Sequence, residues 1–101
     1  MSQARISLPK DRITEFCVRN RVRRLSLFGS VLREDFGPDS DVDILVEFEP
    51  GARMGLIRLS GLEIELGKIV GRKVDLNTPG FLSKYYRDQI LTEADVQYDA
   101  A

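Results

Sequence analysis

One stretch constrains this chain more than any other: Leu27-Phe28-Gly29-Ser30 and then, after a polar interval, Asp41-Val42-Asp43-Ile44-Leu45-Val46. An apolar run that stops at Gly-Ser leaves its strand in a tight turn. The backbone N–H groups at the start of a helix that follows such a turn form a natural cradle for phosphate. Asp41 and Asp43 open a second apolar run, and at i and i+2 they share one face of a strand, roughly 6–7 Å apart along it. Paired carboxylates on one face suit hard divalent cations, which take oxygen ligands and bridge to substrate phosphates. A phosphate cradle followed by a carboxylate pair points to nucleotide chemistry.

The residues from Leu27-Phe28-Gly29-Ser30 through Val46-Glu47-Phe48 resemble the signature of the nucleotidyltransferase superfamily. They are most similar to its minimal (MNT) members, which include antitoxins that AMPylate a partner HEPN toxin. The resemblance runs from about Arg21 to the Ala94 region, so a single catalytic domain spanning residues 1–101 is expected. It implies an α+β fold, a small mixed β-sheet with helices packed on it rather than a doubly wound sheet. It also implies ATP as the nucleotide, two Mg²⁺ ions, and a protein acceptor, a tyrosine hydroxyl on a HEPN-type toxin that the chain would neutralise.

Nucleotidyl transfer explains why these residue types are needed. A hydroxyl attacks the α-phosphorus, pyrophosphate leaves in line, and charge builds on the phosphoryl oxygens, so the protein must position and neutralise. Two Mg²⁺ about 4 Å apart can clamp the attacking and leaving oxygens, and Asp41 and Asp43 are the candidates to hold them. In the family a third aspartate completes the metal site and helps to activate the hydroxyl; Asp75, in Val74-Asp75-Leu76, matches that position. Gly29 and Ser30 match the residues that grip the triphosphate, Ser30 through its hydroxyl and backbone N–H. Arg33 matches a basic position and either contacts phosphate or pairs with a nearby acid. Ser40, beside Asp41, is grouped with the nucleotide-binding residues, its hydroxyl shaping the loop or hydrogen-bonding a carboxylate. Two departures from the family pattern are Glu34, where many relatives carry glycine, and Asp95, in a stretch that is usually apolar.

The rest of the chain fits one small domain. At 101 residues it lies near the lower edge of sizes that bury a comfortable core. Its formal net charge of −1 supplies no global basic field, so no direct nucleic-acid binding is expected. Arg19, Arg21, Arg23 and Arg24 form the one local basic cluster, either a solvated face or a surface for partner or nucleotide. Histidine is absent, which removes the commonest general base. The lone Cys17 sits in a helical apolar pattern, reads as buried, and excludes an intrachain disulfide, which fits a reducing cytoplasm. With no apolar segment long enough to span a bilayer and no signal-peptide core, a cytoplasmic location is expected.

Periodicity predicts the elements. A helix opens at Leu8-Pro9-Lys10-Asp11, carries Ile13, Phe16 and Cys17 on one face, and stops near Asn20. Val22 to Phe28 is a strand, Ser30 begins a short helix, and 35–40 is loop. Val42 to Phe48 alternates, with Val42, Ile44, Val46 and Phe48 on one face and Asp41, Asp43, Leu45 and Glu47 on the other. A turn at 49–52 precedes a helix with Leu56, Leu59, Leu62, Ile64, Leu66 and Ile69, ending at Gly67 or Gly71. Lys73 to Asn77 is a third strand, and Phe81, Leu82, Tyr85, Tyr86, Ile90 and Leu91 predict a final helix.

Three rival readings fit parts of the pattern. Asp39, Asp41 and Asp43 match the opening of a calcium-binding EF-hand loop, but its required sixth-position glycine is Ile44 and its twelfth-position glutamate is Pro50. A non-catalytic module that neutralises its partner by binding would not need three clustered carboxylates, which repel one another without metal. A transferase acting on a small hydroxylated molecule usually carries an additional acceptor domain.

Overall fold

The computed structural model describes residues 6–34, 36–52 and 54–100. Helix α1 (Lys10–Arg19) buries Ile13, Phe16 and Cys17. It stops where Asn20 turns its backbone N–H and its side-chain amide onto the Phe16 carbonyl, at 3.1 and 2.9 Å. Arg21, at φ 57°, swings the chain directly into strand β1 (Val22–Phe28). Strand β2 (Val42–Phe48) runs antiparallel to β1, and strand β3 (Val74–Asn77) runs parallel to β2. A parallel neighbour needs a crossover, which helix α2 (Leu56–Val70) provides. Gly71, at φ 78°, closes that helix with its N–H on the Gly67 carbonyl at 2.8 Å.

The C-terminal region departs from the sequence expectation. In place of one helix from Phe81 onward, the chain makes a 3-10 turn (Pro79–Phe81), a short helix α3 (Arg87–Glu93), and a fourth strand β4 (Asp95–Asp99). β4 pairs antiparallel with β1, giving a mixed sheet in the order β3-β2-β1-β4. Tyr85 and Tyr86 are exposed, and α3 buries none of its own residues. The backbone ladder to β1, rather than an apolar pattern, accounts for β4. The α+β expectation holds.

Register divides the sheet into two faces. Leu25 lies opposite Val46 and Leu27 opposite Ile44, and with Val42 and Val74 these join Ile13, Phe16, Leu62 and Leu66 in the core under α1 and α2. The opposite face carries Ser26 opposite Leu45, Phe28 opposite Asp43, and Asp43 beside Asp75. Cys17 is fully buried, and burial pushes its thiol pKa up to about 12. The basic cluster is largely paired: Arg19 with Glu65, Arg21 with Glu49 at 3.3 Å, and Arg24 with Glu47 and Asp99 at 3.6 and 3.4 Å. Among the described residues no helix is long and apolar enough to cross a membrane.

Candidate functional site

Four segments meet at one end of the polar face. β1 ends at Phe28, and Gly29 takes φ 73°, a left-handed conformation that costs other residues dearly. The expected short helix from Ser30 is a four-residue 3-10 turn, Gly29–Leu32, anchored by the fully buried Val31 and closed by Arg33 N–H on the Ser30 carbonyl at 2.9 Å. Glycine is needed here for a second reason. A Cβ on residue 29 would stand 2.3 Å from Oδ2 of Asp43. The turn and the carboxylate occupy adjoining space.

Asp43 is the pivot of the cluster. Parallel pairing puts it beside Asp75 across β2 and β3, so both carboxylates leave the same face. Its pKa is raised, chiefly by burial, then by the charge of Asp75, with further contributions from a hydrogen bond shared with Asp75 and from the charge of Asp41. The Ser30 backbone N–H donates to Asp43 and opposes that shift. The Ser30 hydroxyl donates to the Asp41 carbonyl at 3.3 Å, joining the turn to the start of β2. Asp41 itself is more exposed, and its Oδ2 lies 3.9 Å from Nζ of Lys73.

Among the described residues, no group of three or more acidic or thiol side chains is drawn together closely enough to hold a metal ion as it stands. The chemistry of the donor set nevertheless fits a hard cation. Asp75 stands beside Asp43 and raises the cost of its charge, and oxygen is the only donor type the three aspartates offer.

The remaining predicted residues separate into two groups. Arg33 is exposed, and with Gly29 it borders a cavity of about 530 Å³ between the 3-10 turn and α3, lined also by Phe28, Tyr86, Ile90 and Glu93. Ser40 is used locally: its hydroxyl accepts the Gly37 N–H at 3.1 Å and its own N–H returns to the Gly37 carbonyl at 3.1 Å. Three contributors stand outside the sequence motif. Glu63 on α2 accepts the Leu76 N–H at 2.8 Å, occupying part of the open edge of β3. Arg72 donates to the carbonyls of Gly37 and Ser40, and Lys73 faces Asp41. The one available signal was the basic pair directly preceding Val74-Asp75.

Comparison with known proteins shows the family and the fold. A protein of Methanocaldococcus jannaschii named as a protein adenylyltransferase is 38% identical over 85 residues, covering 84% of this chain and 89% of its own. A solved toxin–antitoxin structure with AMP-PNP superposes with a TM-score of 0.73 at 22% identity, over 91% of this chain and 74% of that one. A second, an MNT antitoxin with a tri-AMPylated HEPN toxin from Shewanella oneidensis, gives a TM-score of 0.65 at 22% identity, over 89% and 69%. At that identity the two solved structures speak to the fold. The family model of the nucleotidyltransferase domain matches residues 10–96, and on that match this chain belongs to the nucleotidyltransferase family of enzymes.

Proposed function

We propose that this nucleotidyltransferase moves AMP from ATP onto a tyrosine hydroxyl of a HEPN-type toxin and is that toxin's antitoxin. The observation that carries the reading is the register of β2 and β3, which sets Asp43 and Asp75 side by side next to the Gly29–Ser30 turn. The adenylyltransferase relative supports the protein acceptor, and the toxin–antitoxin neighbours support the partner class. The lone buried Cys17 is in keeping with a cytoplasmic setting.

In this reading the attacking hydroxyl oxygen forms a bond to the α-phosphorus, the bond to the bridging oxygen breaks, and pyrophosphate departs. Asp75, at the outer strand, takes the hydroxyl proton. Gly29 leaves room for phosphate to approach the backbone, and Arg33, bordering the adjoining cavity, offsets charge on the triphosphate. Asp41, Asp43 and Asp75 are the residues that would hold Mg²⁺, which supplies neutralisation of the charge growing on the phosphoryl oxygens.

The test is intact-mass analysis of purified HEPN partner incubated with this protein, ATP and Mg²⁺. Gain of whole adenylates, abolished by the double substitution Asp41→Asn and Asp43→Asn, is expected. A folded partner that gains no mass would overturn the reading. Protection of cells by the same double variant would show that binding alone suffices.

A further inference from the structure

We propose that Arg72 is a positioning residue that fixes where Asp41 stands relative to Asp75, and so governs whether the acidic face takes up a divalent cation. The inference rests on the functional reading above and assigns a cause to the geometry of that same site.

Arg72 lies between the end of α2 and the start of β3, three positions before Asp75. Its guanidinium reaches over to the segment that delivers Asp41. One Nη donates to the carbonyls of Gly37 and Ser40, the latter at 3.0 Å, while the guanidinium carbon lies 4.3 Å above the centre of the Phe36 ring. The Ser40 carbonyl belongs to the peptide group that leads into Asp41. Phe36 packs against the core, so the platform beneath the guanidinium is fixed. A backbone bond from Val42 N–H to the Lys73 carbonyl, at 2.9 Å, lies alongside. One end of this strap is therefore tied to the strand of Asp75 and the other to the loop of Asp41.

The chemistry calls for arginine. A planar guanidinium can lie on an aromatic ring while its N–H groups meet two carbonyls, whereas a lysine ammonium is a compact point charge that cannot keep both relationships. Neither carbonyl is acidic and Arg72 forms no ion pair with the three aspartates among the described contacts, so its effect on them passes through backbone position.

The experiment uses the full chain with Mn²⁺ as probe, following free Mn²⁺ by electron paramagnetic resonance. Wild type, Arg72→Ala and Arg72→Lys are compared, with far-ultraviolet circular dichroism and melting on each. Residues that orient metal ligands from behind typically contribute 10–100-fold in affinity, so Mn²⁺ is expected to bind about tenfold more weakly to both variants. In transfer assays kcat should fall and the Mg²⁺ requirement rise, with lysine giving no rescue. Should Arg72→Ala lose its fold, Arg72→Lys, which keeps the charge and the aliphatic stem, decides the matter. Wild-type Mn²⁺ affinity in Arg72→Lys, or no Mn²⁺ binding by the wild type, would overturn the proposal. Mn²⁺ binding that depends on Arg72 in a protein that transfers no AMP would support it and refute the functional reading alone.

Discussion

Gly29→Ala separates two demands that usually act together. Gly29 and Gly51 have nearly the same backbone angle, φ 73° and 86°, but a Cβ on Gly51 would meet nothing within 4 Å, whereas one on Gly29 would meet Asp43 Oδ2 at 2.3 Å. Left-handed backbone alone costs an L-residue on the order of 1–2 kcal/mol, and this is the whole expected effect of Gly51→Ala. At Gly29 the carboxylate must also retreat by roughly 1 Å to reach ordinary van der Waals separation. That movement weakens the bond from the Ser30 N–H, adding on the order of 1–2 kcal/mol. With about 4–8 °C of melting temperature per kcal/mol in a domain of this size, Gly29→Ala should melt well below Gly51→Ala. Activity should separate them further, since a displacement of about 1 Å at a reacting centre can cost on the order of 100-fold. Thermal melting and AMP transfer, measured side by side, read both effects. Equal melting and equal activity in the two variants would refute the argument that Asp43 is held against the Gly29 turn.

The raised pKa of Asp43 has a consequence for stability. The folded state holds the Asp43 proton above the ordinary value of 3.8, so the stability of the fold falls as pH rises from about that value through the raised one, and stays lower beyond it. Asp43→Asn should therefore stabilise the metal-free protein at neutral pH while destroying transfer. For partners on adjacent strands at an intermediate effective dielectric, the gain should be on the order of 1–2 kcal/mol, reduced by solvent screening. It should vanish when melting is repeated below the ordinary value; a variant less stable than wild type at neutral pH would contradict it. Cys17, with its thiol pushed up to about 12, should resist disulfide reagents at pH 8 until denaturant opens the fold; rapid labelling of the native protein would show that α1 does not seal it.

Local pattern made much of the architecture legible. α1, β1, β2, α2 and β3 declare themselves through periodicity, and Asn20 and Gly71 end their helices by the chemistry expected of those residues. β4 escaped notice because Asp95-Val96-Gln97-Tyr98-Asp99 has acidic ends and little apolar surface to bury; its place is determined by β1, whose free edge accepts it. Arg72 escaped for a related reason. The basic pair before Val74 marks its place, but its partner Ser40 is 32 residues distant, beyond the reach of a local window. Asp41 and Asp43 are legible because their spacing is itself local, and Asp75 through the family resemblance; what the register of β3 adds is that Asp75 stands beside Asp43 in particular.

That register also explains why so small a chain holds its acidic face in place. Successive strand residues point to opposite faces, so a slip of one position along β2 would turn Asp43 into the core and Ile44 out to solvent. Val42, Ile44 and Val46 are all completely buried against α1 and α2, which makes such a slip costly by several large apolar side chains. Val74, the register partner of Val42, plays the same part for β3 and carries Asp75 with it. The repulsion among the carboxylates pushes against this arrangement, but it amounts to far less than the burial that opposes it. Apolar packing on one face of the sheet thus imposes the charged geometry on the other, and mutations that loosen Ile44 or Val74 should weaken transfer before they unfold the chain.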